Sequence, residues 1–308
     1  MEKIAVLIPC YNEELTIKKV IKKIKKELPE ATIYLYDNNS TDDSVNIALK
    51  EGVIVRHEIR QGKGNVVKTM FKEVDAECYV MIDADDTYSV DNIREMCNLI
   101  LNKKYDIVIG DRLSSNYFKE NNRLFHNCGN KIVRLLINKS FKCNVKDVMS
   151  GFRAFTYEFV KSCPVLAKSF EIETEMTIYA VDNNFRIGYI PVDYKNRIDG
   201  SVSKLKTYKD GRLVIKTILK LLKQCKPRLF FNTISTMFLV LSLAFAIPFF
   251  KYYIENAVFS KTYFLISIIL FELAFILFVV GIILEVIVRK SKEQRELILK
   301  LLKNKYKP

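Results

Sequence analysis

The stretch Cys78-Tyr79-Val80-Met81-Ile82-Asp83-Ala84-Asp85-Asp86 decides the fold that we predict for this chain of 308 residues. Five apolar residues without a charge run into three carboxylates. That pattern is typical of a strand that is buried in a parallel sheet and ends at the edge of a binding site. Ligands of open α/β sheets bind beyond the carboxyl ends of the strands, so we expect Asp83 and Asp85 to lie where a substrate binds.

Two carboxylates at one strand end are hard oxygen ligands for a divalent cation. We predict that Asp83 and Asp85 bind Mg²⁺ or Mn²⁺, with water and a diphosphate completing the octahedral shell. The alternative is a polar loop after a strand, since turns are often rich in aspartate. With only two histidines in the chain, a histidine-ligated metal site is not expected. The seven cysteines are scattered without a C-x-x-C pair, which indicates reduced thiols in a cytosolic domain.

Strand-like and helical patterns alternate along the first two thirds of the chain. This alternation predicts an α/β fold, with a mostly parallel, Rossmann-like sheet covered by helices on both faces. The chain opens directly into a strand, so no signal peptide is expected. The predicted strands are 4–8, 32–36, 53–55, 78–82, 107–109 and 186–192, the predicted helices are 13–28, the segment ending at 49, 66–74, 90–101, 121–141 and 171–182, and 147–155 is a loop or a strand.

A glycine-bracketed lysine, Gln61-Gly62-Lys63-Gly64, precedes one of these helices. Glycines allow backbone N–H groups to approach an anion, and the helix N-terminus adds a partial positive charge. The loop is therefore a candidate phosphate site, although such a sequence is often only a turn.

The composition indicates anionic partners. Lysine and arginine outnumber aspartate and glutamate by 49 to 35, which gives a formal net charge of +14. Neither a nucleic-acid motif nor an aromatic single-strand-binding pattern accompanies these charges. A membrane surface and a phosphorylated substrate are therefore favoured over nucleic acid.

The C-terminal third predicts a membrane anchor. Segments 229–250 and 262–288 are each long enough to cross a bilayer, which needs about 20 apolar residues, and 251–261 is the hairpin loop between them. Basic residues flank both spans, so both termini, the catalytic domain and the basic tail 289–308 are expected in the cytoplasm. Segment 212–228 reads as an amphipathic basic helix on the membrane surface, with a solvated helix packed on the first domain as the alternative. Glu272 lies inside the second span, where it is expected to face protein within the same chain or in another protomer.

Several motifs in order make residues 3 to 211 resemble the inverting, GT-A-fold glycosyltransferases of family 2. The resemblance is to the dolichyl-phosphate-mannose-synthase-like and polyprenyl-phosphate glycosyltransferase branch. The motifs are Pro9-Cys10-Tyr11-Asn12-Glu13, Asp37-Asn38-Asn39-Ser40-Thr41-Asp42, Gln61-Gly62-Lys63-Gly64, Asp83-Ala84-Asp85, Gly110-Asp111-Arg112, Asp147-Val148-Met149-Ser150-Gly151-Phe152-Arg153 and Arg197-Ile198-Asp199-Gly200-Ser201-Val202-Ser203-Lys204.

The resemblance implies a nucleotide-sugar donor, with a UDP-linked hexose or N-acetylhexosamine favoured over GDP-mannose. It also implies a polyprenyl phosphate acceptor, undecaprenyl or dolichyl, which would yield a lipid-phosphate β-sugar. Asp85 and Asp147 are the implied catalytic residues, with Asp147 either a weak base or a positioning group. A glutamine that some relatives carry after the D-x-D motif is replaced by Thr87. The implied donor-binding residues are Pro9, Tyr11, Asn12, Glu13, Asp37, Asn39, Lys63, Asp83, Ala84, Asp85, Arg197 and Lys204, and the implied acceptor-phosphate-binding residues are Arg112, Arg123, Ser150 and Arg153.

Other functions remain open from the sequence. A membrane polysaccharide synthase on the same fold carries a Q-x-x-R-W motif and more spans, whereas this chain has no tryptophan. A nucleotidyltransferase would need an early glycine-rich signature. An inactive membrane scaffold is the non-enzyme alternative. Related enzymes form tetramers through their spans, so a homo-oligomer is also expected.

Overall fold

The computed structural model describes residues 1–115, 124–197, 207–256 and 260–305. These residues divide into two compact units, Met1–Ile218 and Leu219–Pro308. The sequence placed the end of the first domain at residue 211, seven residues before this division. The division falls inside one helix, which accounts for the lack of any linker signal at that point.

The N-terminal unit contains a seven-stranded sheet in its described residues, in the order β3-β2-β1-β4-β6-β5-β7. Every strand predicted from the sequence is present, with bounds shifted by no more than two residues. The strands are β1 Glu2–Cys10, β2 Thr32–Asp37, β3 Ile54–His57, β4 Ala76–Met81, β5 Ile107–Asp111, β6 Arg153–Thr156 and β7 Ile187–Pro191.

Parallel pairing dominates this sheet, which confirms the predicted fold class. β1 lies between β2 and β4, and β5 pairs with β7, all in parallel. β6 is the antiparallel member and lies between β4 and β5. Its first residue, Arg153, is the register partner of both Met81 and Ile109. The loop before β6 therefore emerges at the same edge of the sheet as Asp83 and Asp85.

Helices cover both faces of the sheet, and several of them, such as Ile17–Glu27 and Ile93–Leu101, bury apolar residues at helical spacing. Residues 13–16 form a separate turn, in which the Thr16 N–H donates to the Glu13 carbonyl at 3.1 Å, so the first helix begins at Ile17 and not at 13. The short helix α6 was not predicted. The helices of this unit are α1 Ile17–Glu27, α2 Ser44–Lys50, α3 Lys63–Glu73, α4 Ile93–Leu101, α5 Leu124–Phe141, α6 Tyr157–Ser162 and α7 Ile172–Asp182.

Helix α8, Thr207–Cys225, carries the amphipathic pattern that the sequence indicated. Its basic stripe is exposed, at Arg212, Lys216, Lys220 and Lys223. Its apolar stripe, which the membrane-surface interpretation would place in lipid, is buried within the protein at Val214, Ile218, Leu221 and Leu222. The hydrophobic face of this helix is therefore buried by protein and is not exposed to a membrane, whereas its exposed face is cationic.

The C-terminal unit is a hairpin of two long helices, α9 Pro227–Asn256 and α10 Lys261–Lys305. Both are long and apolar enough to span a membrane, over Pro227–Glu255 and Lys261–Leu297. Only 17% and 11% of an apolar 18-residue segment of each helix is buried in the protein, whereas core helices of a soluble protein are mostly buried. The second helix continues to Lys305, within the segment 289–308 that was predicted as a basic tail.

A narrow seam joins the two hairpin helices. Ser235 Oγ donates to the Ala274 carbonyl at 2.7 Å, and Ser242 Oγ donates to the Ser267 carbonyl at 2.8 Å. Rising numbers on α9 pair with falling numbers on α10, so the helices are antiparallel. Ser235, Ser242 and Phe249 recur every seven residues and are buried, which is the period of left-handed helix packing. Small polar residues on such a seam allow close approach and supply hydrogen bonds where water is absent.

Candidate active site

A cavity of about 260 Å³ opens at the carboxyl ends of β1 and β4, where the sequence predicted the site. Its predicted lining residues are Pro9, Tyr11, Glu13, Lys63, Asp83, Ala84, Asp85 and Arg197, and its further lining residues are Cys10, Asn38, Gln61, Gly62, Val66, Ser169 and Phe170.

Asp83 and Asp85 each form an ion pair with a basic side chain at the edge of this cavity. The Lys63 ammonium donates to Asp83 Oδ1 at 2.5 Å and lies 2.6 Å from Glu173 Oε1. The Arg197 guanidinium donates to Asp85 and lies 3.3 Å from Glu13 Oε1. Acidic and basic groups from five separate segments of the chain therefore converge at one point.

The electrostatics of these groups follow from burial and charge. Burial raises the pKa of Asp85 above its usual value, and the neighbouring charge of Asp83 raises it further, while the charge of Arg197 opposes the rise. For Lys63, burial disfavours the charged form, but the carboxylates of Asp83 and Glu173 outweigh it and raise its pKa. Lys63 is therefore a permanent cation, whereas Asp85 has a tendency to hold a proton.

The donor set fits a divalent cation. The contacts above join four carboxylates to two cations, so this group of side chains carries an excess of two negative charges when all are ionised. Carboxylate oxygens are the ligands that Mg²⁺ and Mn²⁺ prefer. Asp83 and Asp85 are the residues of this set that would hold the ion together with a diphosphate.

Asp86, the third carboxylate of the motif, does not join the cavity. Its backbone has a left-handed φ of 56°, and its side chain is paired with Lys19 at 2.6 Å and with Lys23 at 2.5 Å on α1. Thr87, which replaces the glutamine of some relatives, donates through Oγ1 to Asp85 Oδ1 at 2.7 Å. Thr87 therefore orients Asp85 and is not itself placed as a ligand.

The glycines of the Gly-Lys-Gly loop serve close packing. A methyl group on Gly64 would overlap the carbonyl oxygen of Ala167, and one on Gly62 would overlap that of Lys168. Gly62 also has a φ of 126°, which side-chain-bearing residues rarely adopt. The sequence had assigned these glycines to anion approach, whereas the structure shows them against the backbone of the segment before α7. That packing fixes Lys63 between Asp83 and Glu173.

Three predicted donor-binding residues brace the loops and do not line the cavity. Asn12 Oδ1 accepts from the Thr41 N–H at 2.7 Å, and Asp37 accepts from the Ser40 N–H at 3.1 Å. The Asn39 amide donates to the Ile59 carbonyl at 3.0 Å.

Asn38, which the sequence had not singled out, lines the cavity instead. Its Oδ1 accepts from the Gly62 N–H at 2.7 Å, so it ties the turn at residues 37–42 to the Gly-Lys-Gly loop.

Arg112, a predicted acceptor-phosphate-binding residue, and Asp147, a predicted catalytic residue, form a buried bidentate pair. Arg112 Nε and Nη2 donate to the two Asp147 oxygens at 2.8 and 3.0 Å. The Arg112 guanidinium also faces the rings of Tyr88 and Tyr194, at 5.9 and 5.6 Å from their centroids. Burial alone would raise the pKa of Asp147, but the charge and hydrogen bonds of Arg112 hold that pKa below its ordinary value. The pair therefore holds the Arg112 guanidinium in a fixed orientation.

Arg153 and Ser150 lie inside the protein. The Arg153 side chain is fully buried, and its guanidinium donates to the Ser150 and Val148 carbonyls at 2.7 and 2.6 Å and to Thr177 Oγ1 at 2.9 Å. This arrangement locks residues 147–153, which we call the acceptor-side loop, and does not present Arg153 to a phosphate. Arg123 and Lys204 lie outside the described residues.

Gly151 joins the two halves of the site. Its N–H donates to the Tyr88 hydroxyl at 2.8 Å, and a methyl group on it would overlap the carboxylate of Asp83. Tyr88 in turn faces Arg112. The acceptor-side loop therefore touches the donor-side carboxylate directly.

Glu173 and Tyr88 were missed because nothing in their local sequence marks them. Glu173 lies in the first turn of α7, where acidic residues are common for reasons of helix stability.

Comparison with known proteins places the chain in a family. The profile of Glycosyl transferase family 2 matches residues 5–163. A dolichyl-phosphate hexose transferase of Haloferax volcanii is 26% identical over 226 residues, which cover 73% of this chain and 96% of that protein. A UDP-N-acetylglucosamine–dolichyl-phosphate N-acetylglucosaminyltransferase of Methanococcus voltae is 28% identical over 216 residues, which cover 61% of this chain and 84% of that protein.

Among solved structures, the fold is similar to glucosyl-3-phosphoglycerate synthase from Mycobacterium tuberculosis in complex with Mn²⁺, UDP-glucose and phosphoglyceric acid. The TM-score is 0.54 at 19% identity, and the match covers 71% of this chain and 79% of that chain. The predicted GT-A fold and the family resemblance are thereby confirmed. The chain belongs to glycosyl transferase family 2 and is a glycosyltransferase.

Proposed function

We propose that this glycosyltransferase transfers a sugar from a nucleotide-sugar, a UDP-linked hexose or N-acetylhexosamine, to a polyprenyl phosphate. The reaction would invert the anomeric carbon and depend on Mg²⁺ or Mn²⁺. The observation that carries the proposal is the convergence of Asp83, Asp85, Lys63 and Arg197 on one cavity, beside a loop that holds a buried Arg112.

The donor half of the proposal rests on charge. A diphosphate brings negative charge into a cavity that already has paired carboxylates. Lys63 and Arg197 would exchange carboxylate oxygens for phosphate oxygens in charge-assisted hydrogen bonds. A divalent ion held by Asp83 and Asp85 would neutralise the charge that develops on the leaving nucleoside diphosphate. The M. tuberculosis synthase, with the same fold, was crystallised with Mn²⁺ and UDP-glucose, which supports this choice of donor and ion.

The acceptor half rests on the chemistry of a phosphate monoester. Its second pKa is near 6, so it is largely dianionic at neutral pH and already nucleophilic. A phosphate oxygen forms the new bond to the anomeric carbon as the bond to the diphosphate breaks, and no proton has to be removed. Asp147, with its lowered pKa, would therefore hold Arg112 in place, and Arg112 would bind the acceptor phosphate. The relatives of H. volcanii and M. voltae differ in sugar and share dolichyl phosphate as the named acceptor.

The hairpin of α9 and α10 supplies the proposed membrane anchor, with the catalytic unit and both termini on the cytoplasmic side. The basic residues that flank the apolar helices support this orientation. Protease accessibility of an epitope added after residue 308 in inside-out vesicles, with protection in right-side-out vesicles, would test it.

Glu272 supports assembly into a homo-oligomer, which we propose is a tetramer. Its side chain is exposed on α10 within the apolar segment, where a carboxylate is costly in contact with lipid. Contact with another copy of the chain would remove that cost. The mass of the protein in nanodiscs should therefore fall when Glu272→Leu is introduced, if the carboxylate stabilises the oligomer.

The proposed reaction is tested by incubating the purified full-length protein with undecaprenyl or dolichyl phosphate and a panel of UDP- and GDP-sugars. Mass spectrometry of the lipid identifies the sugar, and the anomeric coupling constant of the product identifies the stereochemistry. A β-linked product from an α-linked UDP-sugar is expected. Exclusive use of GDP-mannose, or an α-linked product, would contradict the proposed donor or the proposed inversion.

A further inference from the structure

A second cavity, of about 680 Å³, lies at the end of the hairpin where α9 begins. It is separate from the sugar-transfer site, and its residues all belong to the C-terminal unit. Its charged and polar lining residues are Lys226, Arg228, Asn232, Glu285, Arg289 and Lys292. We refer to this cavity as the basic cleft.

The basic cleft has an excess of positive charge. Four of its side chains are basic, and the one carboxylate among them, Glu285, is paired with Arg228 at 3.1 Å. Arg289 follows Glu285 by four residues, and Lys292 follows Arg289 by three, so the three side chains share one face of α10. The cleft also contains Pro227, the first residue of α9.

The floor of the cleft carries an unused hydrogen-bond acceptor. Asn232 Oδ1 is buried and has no hydrogen-bond partner among the residues that the structure describes. It lies against α10, since a methyl group on Gly281 would come within 3.3 Å of this oxygen. A buried acceptor without a partner is costly. The ligand that fits the cleft therefore combines an anionic group with a hydroxyl that can donate to this oxygen.

We infer that the basic cleft binds the headgroup of an anionic phospholipid, with its phosphate among Arg289, Lys292 and Lys226 and a headgroup hydroxyl on Asn232. The inference rests on the proposed membrane anchoring, because it places the cleft at the cytoplasmic headgroup layer, where each apolar helix meets its basic flank. Phosphatidylglycerol has both required groups. Free phosphate shares the anionic chemistry and lacks the acyl chains that would lie along the exposed apolar faces of the hairpin.

The test uses the full-length protein in detergent micelles doped with phosphatidylglycerol, with bound lipid counted by native mass spectrometry. The Arg289→Gln/Lys292→Gln variant removes two positive charges and leaves the Arg228–Glu285 pair intact. Lys251→Gln/Lys261→Gln is the matched control, because it removes two exposed charges from the other end of the same helices. Affinity should fall about 30-fold in the first variant, from roughly fivefold for each basic residue near an anionic surface, and should be unchanged in the control.

Two further arms identify the ligand. Phosphatidylethanol has the same charge and lacks the headgroup hydroxyls, so the wild type should bind it several-fold more weakly, and Asn232→Leu should bind both lipids equally. Inorganic phosphate at millimolar concentration should not displace the lipid. The inference would be overturned if the two charge variants lost lipid affinity equally, or if the wild type showed no preference for phosphatidylglycerol over phosphatidylethanol. Displacement of the lipid by inorganic phosphate would overturn it as well. Release of the wild-type protein from membranes by alkaline carbonate would instead refute the proposed anchoring.

Discussion

Replacement of Gly151 by alanine tests whether the acceptor-side loop and the metal-binding carboxylate are as close as the structure places them. The added methyl carbon would lie 2.9 Å from Asp83 Cγ and 3.1 Å from Asp83 Oδ1, against an ordinary contact of about 3.5 to 4 Å. Because the methyl group is attached to backbone, the Asp83 side chain has to move away from it by about 1 Å, which disturbs the position of the carboxylate that Lys63 contacts.

The expected effects of Gly151→Ala on stability and on activity differ in size. Rotation of one partly exposed carboxylate into a poorer rotamer costs about 1 kcal/mol, so the thermal midpoint should fall by only a few degrees. A displacement of about 1 Å in a catalytic arrangement lowers the rate about 100-fold. The variant should therefore remain folded, bind Mn²⁺ in the presence of UDP more weakly, and transfer sugar about 100-fold more slowly.

Gly188→Ala is the matched control for this experiment. Its methyl carbon would lie 2.7 Å from the Tyr105 ring, which crowds the core outside the cavity, so stability should fall while turnover per folded molecule stays near normal. The measurements are thermal unfolding, Mn²⁺ titration by electron paramagnetic resonance, and transfer from a UDP-sugar to polyprenyl phosphate. Wild-type Mn²⁺ affinity and transfer rate in Gly151→Ala would refute the placement of Asp83 against this loop.

Three further predictions concern the charged groups of the site. Asp147→Asn should lower the free energy of urea unfolding by roughly 3 to 5 kcal/mol, because it leaves the buried Arg112 unpaired. The lowered pKa of Asp147 keeps this carboxylate ionised from about pH 5 to 8, so the titration of Asp147 should cause no change in the wild-type kcat/KM within that range. Because the pKa of Asp85 is raised, its protonation stabilises the folded protein as the pH falls. A bound metal ion competes with that proton, so the Mn²⁺ affinity of the wild type, measured by isothermal titration, should fall on acidification through that pKa. The Mn²⁺ affinity of Asp85→Asn should not change with pH over the same range. Lys63→Met should lower the free energy of unfolding by about 3 kcal/mol, since it leaves two carboxylates without their cation, and adding Glu173→Gln should recover part of that loss in the same denaturation assay; no recovery would contradict the bridge.

Much of the fold followed from local sequence patterns. The strand from Cys78 to Ile82 and its carboxylates fixed the edge of the sheet at which the cavity opens, because apolar runs and strand-end ligands follow from general properties of parallel sheets. The cavity contains eight of the predicted donor-binding residues. Two long apolar helices likewise need no tertiary information to be predicted.

The remaining parts depend on contacts between residues far apart in the chain. Arg153 belongs to the motif at residues 147–153, yet only the structure shows that its guanidinium donates to the backbone carbonyls of Ser150 and Val148. Glu173 reaches Lys63 across 110 positions of sequence, and no periodicity encodes that distance. The role of Gly64 in packing against Ala167 is invisible for the same reason, since a glycine that approaches an anion and one that approaches another backbone look alike in a sequence.

The central claim is that Asp83 and Asp85 hold a divalent ion that sugar transfer to a polyprenyl phosphate requires. The direct measurement is the mass of the lipid after incubation with Mn²⁺ and UDP-sugars, for the wild type, for the wild type with excess EDTA, and for Asp85→Asn. We predict that the lipid gains the mass of one sugar with the wild type and Mn²⁺, and remains unchanged in the other two samples. Normal sugar transfer by Asp85→Asn or in the presence of EDTA would contradict the claim.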